Sequence, residues 1–184
     1  RKYSRNNLAK PSPGVGGPCL SKDAFIFKKG LDNANLKINN DFILTGRVQD
    51  DFLISYLSKL IINHCELLGI YKFSIAGLAF KGFPETSDAR DSSTIKLINN
   101  FNNDYEIKVF DPLVTEYTDV NVKINSFEDF CQSSAALIIM TNNKSFKSFD
   151  WDSALTKLVD SALVIDGWGV LEKFNVPVEY NLVY

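Results

Sequence analysis

Lys72-Phe73-Ser74-Ile75-Ala76-Gly77-Leu78-Ala79-Phe80-Lys81 is the stretch on which the fold turns. The run from Lys72 to Phe80 carries no charge after its first residue and is bounded by Gly69 before it and Lys81-Gly82 after it. A short continuous apolar run of this kind reads as a strand buried on both faces. Downstream, Ser92 to Phe101 reads as a helix capped by Ser92 or Ser93, and Glu106 to Phe110 as the next strand. Asp111-Pro112 stops that strand, because proline cannot donate to a sheet ladder. Val120 to Ile124 and Ala135 to Met140 read as further strands around a short helix from Ser126 to Cys131. A helix from Asp152 to Val159, a strand from Ala162 to Ile165 and a last strand from Val178 to Val183 complete the series. Strand and helix in alternation predict an α/β fold: a doubly wound parallel sheet with helices on both faces. Ligands in such sheets lie beyond the carboxyl ends of the strands, which directs attention to Lys81–Asp91, Asp111–Val114, Thr141–Lys144 and Asp166–Val170.

Upstream the chemistry changes twice. From Asp41 to Leu68 the apolar residues Val48, Phe52, Leu53, Tyr56, Leu57, Leu60, Ile61 and Leu67 recur at helical spacing, and Gly69 supplies a stop. One long amphipathic helix is predicted there, with room for a shorter one before it. Residues Arg1 to Asp23 hold Pro11, Pro13, Gly14, Gly16, Gly17 and Pro18, which is loop composition.

Composition sets the class. The 184 residues carry 20 Lys+Arg against 22 Asp+Glu, a net charge of -2, and 45% are hydrophobic. That balance argues against the nucleic-acid backbone or an anionic membrane as main partner. No apolar run approaches the roughly 20 residues that span a bilayer. Cys19, Cys65 and Cys131 form no CxxC pair, and with His64 as the single histidine they argue against a structural zinc site, so no metal is expected. An odd thiol count fits a reducing, cytoplasmic setting. Cys65 and Cys131 sit among apolar neighbours and read as small core fillers.

Two constellations carry possible chemistry. The first is Pro11-Ser12-Pro13-Gly14-Val15-Gly16-Gly17-Pro18-Cys19-Leu20-Ser21-Lys22-Asp23. Its glycines let backbone amides approach a ligand, Lys22 beside Cys19 favours thiolate over thiol, and Asp23 shares the side of Cys19 if a helix starts there. A thiol nucleophile with a nearby carboxylate suits covalent catalysis. A Gly/Pro surface loop with an incidental cysteine is the alternative. The second is Gly77-Leu78-Ala79-Phe80-Lys81 with Asp88-Ala89-Arg90-Asp91-Ser92-Ser93, at the first strand-to-helix turn, where phosphates commonly bind. It lacks a full GxGxxG, and taken alone it reads slightly better as a capped helix with solvated charges.

Taken together and in this order, the motifs resemble the UDP-glucose/GDP-mannose dehydrogenase family of nucleotide-sugar 6-dehydrogenases. The resemblance rests on Gly16-Gly17-Pro18-Cys19-Leu20-Ser21-Lys22-Asp23, on Gly77-Leu78-Ala79-Phe80-Lys81 with Asp88-Ala89-Arg90-Asp91-Ser92, and on Val109-Phe110-Asp111-Pro112. It implies a Rossmann-like nucleotide-sugar-binding domain over residues 70–184, preceded in 1–69 by the catalytic-cysteine loop and part of a central helical dimerisation region. It implies oxidation of the C6 alcohol of a UDP-sugar to a carboxylate with NAD as cofactor. Cys19 would hold the sugar as thiohemiacetal and then thioester, and Asp23 would position or deprotonate the hydrolytic water. Lys22 and Arg90 would serve the cofactor. Arg5, Ser12, Gly14, Gly16, Phe80 and Lys81 would contact the substrate, Arg5 across a homodimer. Arg5-Asn6-Asn7-Leu8 and the cysteine loop look slightly closer to the branch acting on UDP-N-acetylhexosamines.

The pattern also departs from the family. Asp166-Gly167 is followed by Trp168 where an arginine is common, and Trp168 cannot pair with phosphate. The chain opens on Arg1, its one Met is Met140, and no GxGxxG segment is present. The expectation is therefore a C-terminal portion that does not reduce NAD by itself. The competing expectation is a nucleotide-binding or interaction module that keeps the fold without the chemistry.

Overall fold

A computed structural model describes residues 12–36, 41–118, 122–176 and 181–183. Six strands run parallel in one sheet: β1 Lys72–Ala76, β2 Glu106–Phe110, β3 Lys123–Ile124, β4 Ala136–Ile139, β5 Leu163–Asp166 and β6 Asn181–Val183. Their order across the sheet is β3-β2-β1-β4-β5-β6. β1 is central, with Phe73 opposite Ile107 on one side and opposite Ala136 on the other. Chain order reverses between β1 and β4, so the carboxyl ends of these two strands flank the switch point, where doubly wound sheets open a crevice.

Alternation of side chains along each strand divides the core into two layers. Phe73, Ile75, Val109, Ala136, Ile138 and Ile165 face a layer shared with helices α2 (Asp41–Leu68) and α3 (Ser93–Ile98). Ala76, Phe110, Leu137, Ile139 and Val164 face the other, built from α4 (Phe127–Phe130), α5 (Trp151–Leu155) and a 3-10 turn, Lys144–Ser148. Aromatic rings fill this second layer: Phe110, Phe127, Phe130, Phe149 and Trp151 meet mostly edge to face or tilted, at centroid separations of 4.5 to 6.1 Å. Such geometry suits ring quadrupoles better than a face-to-face stack.

Several predicted elements are shorter than their apolar runs. β1 ends at Ala76 rather than Phe80, because Gly77 turns to φ +99° and packs so closely on Thr141 that a Cβ there would overlap it. α3 has the predicted cap: Ser92 Oγ accepts the Ile95 N–H at 3.1 Å. The helix predicted at Asp152–Val159 is α5, Trp151–Leu155, and starts instead with the Asp150 carboxylate accepting from Ser153 N at 3.0 Å. Part of the strands predicted at Val120–Ile124 and Val178–Val183 lies outside the described residues; Lys123–Ile124 and Asn181–Val183 are strand.

α2 has the predicted bounds but a narrower buried stripe. Ile54, Leu57, Ile61 and Cys65 are buried, three or four residues apart, whereas Val48, Phe52, Tyr56 and Leu67 are exposed. The predicted apolar face thus merges two stripes, one of which packs on the sheet. The shorter preceding helix is α1, Asp23–Asn33, which buries none of its residues and exposes Phe25, Ile26 and Phe27. His64, four residues before the end of α2, meets the Ser161 carbonyl through Nε2 at 2.9 Å.

Candidate active site

The end of β1 is shaped by a carboxylate from β2. Asp111, 5% exposed, accepts Leu78 N at 2.7 Å and Ala79 N at 3.0 Å on Oδ2, and Leu113 N and Val114 N at 2.8 and 3.0 Å on Oδ1. Four N–H donors satisfy the acceptor sites of a buried carboxylate, and in doing so fix two turns at once. Asp166 repeats the device at the end of β5: Oδ1 accepts Trp168 N at 3.2 Å and Oδ2 accepts Leu171 N at 2.7 Å. Thr94 Oγ1 donates to the Gly77 carbonyl at 2.7 Å and ties α3 to the same corner.

The cysteine loop lies across this corner. Gly17 N donates to Asp91 O at 3.0 Å, and Ser21 Oγ donates to Asp91 Oδ2 at 3.2 Å. A Cβ at Gly16 would stand 2.8 Å from Asp91 O and 2.9 Å from Ser92 Cα, so only glycine lets the two backbones meet. Pro13 packs on Gly167, which brings the β5 turn against the loop from the other side.

Between these segments is a cleft of about 410 Å³ at the switch point. Its size is that of a small-molecule site. Ser12, Gly14, Gly16, Phe80 and Lys81, all predicted to contact substrate, line it. So do Asn142, Met140 and Trp168, from the ends of β4 and β5. Lys81 is the charged residue among them, its Nζ 5.2 Å from the Phe80 ring centroid. Trp168 gives its indole N–H to the Met140 carbonyl at 3.0 Å, leaving it an apolar wall. Ser12 Oγ is engaged with Gly14 O at 2.8 Å. Arg5 lies outside the described residues.

Cys19, Lys22, Asp23 and Arg90 do not line the cleft; they stand on the exposed surface beside it, Cys19 directly before the cleft-lining Leu20. The helix does begin at Asp23, whose N–H donates to Cys19 O at 2.9 Å. Lys22 Nζ bonds Asp23 Oδ1 at 2.9 Å, which holds the Lys22 ammonium above its ordinary pKa, with a smaller contribution from Cys19. Arg90 pairs with Asp88 at 2.7 Å; the guanidinium presses the Asp88 carboxyl down to about 2. Arg90 is raised chiefly by Asp88 and also feels Cys19. Two cations therefore lie within electrostatic reach of the exposed thiol, each already paired with a carboxylate. Cys65 and Cys131 are buried fillers as expected: burial pushes Cys65 up to about 11 and Cys131 higher still. Among the described residues no group of three or more His, Cys, Asp or Glu could hold a metal, and no helix is long and apolar enough to cross a membrane.

A parallel sheet of this order with a cleft at its switch point defines a doubly wound, Rossmann-like α/β domain. The profile of the UDP-glucose/GDP-mannose dehydrogenase family, UDP binding domain, matches residues 74–173, and the chain belongs to that family. It is 29% identical over 170 residues to the UDP-N-acetyl-D-mannosamine dehydrogenase of Methanococcus aeolicus, covering 90% of this chain and 36% of that one. It is 26% identical to the UDP-glucose 6-dehydrogenase of Rickettsia conorii, covering 90% of this chain and 39% of the relative. The solved UDP-N-acetyl-mannosamine dehydrogenase of Pyrococcus horikoshii superposes with a TM-score of 0.73 at 25% identity, over 98% of this chain and 41% of that one. The chain thus spans about two fifths of the length of the relatives it matches.

Asp111, Thr141, Asn142 and Asp166 fall in the segments beyond the strand ends to which the sequence directs attention, although it assigns none of them a role at the site. For the two aspartates a signal existed: an Asp closing an apolar run before Pro or Gly is an Asx-turn former that captures nearby N–H groups.

Proposed function

We propose that the chain carries the cysteine loop and the UDP-sugar-binding domain of an NAD-dependent nucleotide-sugar 6-dehydrogenase, which oxidises the sugar C6 alcohol to a carboxylate. The observation that carries this reading is the cleft at the switch point, walled on one side by the loop that bears Cys19 and on the other by Phe80-Lys81. The uridine and diphosphate occupy the cleft, with Lys81 compensating phosphate charge and Trp168 walling the end. The sugar then extends toward the surface, where Cys19 stands. Its Sγ holds the oxidised C6 first as thiohemiacetal and then as thioester, which water cleaves to the carboxylate and free thiol. Asp23, one helical turn from Cys19, orients that water and takes its proton. NAD, when bound, supplies the two-electron acceptor for each oxidation. Lys22 and Arg90 suit the anionic groups of such a dinucleotide, because both are exposed cations on the Cys19 side. The exposed stripe Val48, Phe52 and Tyr56 supports a homodimer of the whole enzyme through α2.

A second reading, a nucleotide-binding module without turnover, draws on Trp168 in the cleft wall and on the pairing of Lys22 and Arg90 with their neighbours. Calorimetric titration with UDP, UDP-glucose, UDP-N-acetylmannosamine and GDP tests the common part of both. Binding of the uridine compounds in preference to GDP is expected, and binding of none would sink it. Cys19→Ser in the whole enzyme separates the two: loss of NADH formation with nucleotide binding retained is the outcome for the enzyme.

A further inference from the structure

The cysteine loop is held from above by the sheet corner and from below by the long helix, and the second attachment is concentrated on one residue. Val15 lies midway along the loop, with Gly14 and Gly16 on either side lining the cleft. Both of its main-chain groups bond to α2: its N–H donates to Asp50 Oδ1 at 2.5 Å, and its carbonyl accepts from Arg47 Nη1 and Nη2 at 3.4 Å. Asp50 is 7% exposed although it carries a carboxylate. It is kept there by Arg47 Nη2 at 2.9 Å and by Lys96 Nζ of α3 at 3.5 Å. One turn further along α2, Ile54 packs under Gly14, where an added Cβ would stand 2.9 Å from Ile54 Cδ1. Arg47, Asp50 and Ile54 therefore form one stripe of α2 that meets the loop, with Ile54 also part of the layer packed on the sheet.

We infer that Asp50, locked by Arg47 and Lys96, is a positioning residue that fixes Val15 and thereby sets the cysteine loop against the cleft. A buried carboxylate with two cationic partners costs solvation, and burial of such a network is warranted when removing one member misplaces what it holds. Cys19 follows Val15 by four residues, and the intervening Gly17 N is bonded to Asp91 O. With Val15 fixed to α2 and Gly17 to the turn before α3, the segment leading to Cys19 has both ends set. The consequence for ligand binding rests on the reading of the cleft as the UDP-sugar site; the clamp itself does not.

The test compares wild-type chain with Asp50→Ala and Asp50→Asn, by amide hydrogen exchange of a peptide spanning residues 12–18 and by UDP titration. Asn keeps an oxygen acceptor for Val15 N–H and Ala does not. Asp50→Ala is expected to accelerate exchange in that peptide and to weaken UDP binding by about tenfold or more, the scale of one charge-assisted hydrogen bond. Asp50→Asn is expected to fall between wild type and Asp50→Ala in both, because it keeps the acceptor for Val15 N–H and loses the ion pairs, with exchange in β1 and β4 unchanged in either variant. Wild-type exchange in Asp50→Ala, or equal acceleration in Asp50→Asn, overturns the proposal. Should wild type bind no UDP, the reading of the cleft fails while the exchange comparison still decides the clamp. If Asp50→Ala does not fold, Arg47→Gln carries the test: faster exchange in the same peptide supports the clamp, and an unchanged rate overturns it.

Discussion

Asp111 Oδ2, at the end of β2, accepts the main-chain N–H of Leu78 at 2.7 Å, just past the end of β1. One strand thus dictates the path of its neighbour's loop, and that loop carries Phe80 and Lys81 into the cleft. Asp111→Ala leaves the N–H groups of Leu78, Ala79, Leu113 and Val114 without this acceptor, those of Leu78, Ala79 and Val114 being buried. A loss of about 3 kcal/mol in urea unfolding is expected, with Asp111→Asn costing less because it keeps one acceptor oxygen. Equal stability of the Ala variant and wild type would show that water takes over those donors.

The proposed UDP site has a built-in optical reporter. The chain has two tryptophans, and of these Trp151 is fully buried behind the sheet while Trp168 lines the cleft. UDP should change the emission of wild type and of Trp151→Phe, and leave Trp168→Phe silent while calorimetry still detects binding. Lys81→Ala should weaken UDP by about tenfold and uridine hardly at all, since the ammonium pairs with phosphate. A response that persists in Trp168→Phe places the nucleotide elsewhere.

The three thiols should separate cleanly by reactivity. Iodoacetamide is expected to modify Cys19 alone in the folded chain and all three cysteines in urea, because Cys65 and Cys131 are buried. Burial also raises the Cys65 pKa from 9.0 to about 11. A thiol kept neutral by folding adds stability that is complete below the unfolded pKa of 9.0 and is lost as pH climbs toward about 11. Cys65→Val should flatten that part of the alkaline limb of a stability profile; an identical limb in the variant would assign the alkaline loss to other groups.

Acid titration checks the Asp88–Arg90 pair. The Asp88 carboxyl should titrate near 2 by NMR, and Arg90→Gln should return it toward its ordinary value of 3.8. The stabilising contribution of the pair is present above 3.8 and fades as pH falls through about 2. An Asp88 midpoint untouched by Arg90→Gln would mean the two side chains are apart in solution.

Core truncation tests the layer assignment. Ile138 on β4 is fully buried in the layer facing α2 and α3, so Ile138→Ala should cost about 3 kcal/mol. Val48→Ala, on the exposed stripe of α2, should cost well under about 1 kcal/mol in a monomer. A large effect at Val48 would indicate a partner on that stripe under the conditions measured.

Local chemistry explains what the sequence revealed and what it hid. The Ser92 cap, the stop at Asp111-Pro112 and the bounds of the helix ending before Gly69 are written in neighbouring residues and were legible. The end of β1 was not, since Leu78, Ala79 and Phe80 are as apolar as the strand before them and the turn is imposed by Thr141, 64 residues on. The bounds of α1 were not legible, because it buries none of its residues. Within the site, the cleft-lining Ser12, Gly14, Gly16, Phe80 and Lys81 were found through their motifs. Asp50 was not, because its role depends on Val15, 35 residues away, and one charged residue on a helix reads like any other.

The central place of β1 also governs how the polypeptide can be made. Phe73 must wait for Ala136, emerging 63 residues later, before the flank of β1 toward β4 is covered. At roughly 5–20 residues per second of translation that interval is about 3 to 13 seconds. Throughout it the unpaired main-chain N–H and C=O groups of that edge, with the apolar Phe73, Ile75 and Ala76 beside them, are exposed to the crowded space outside the ribosome, so the nascent chain has most need of a chaperone between the synthesis of the first and the fourth strand.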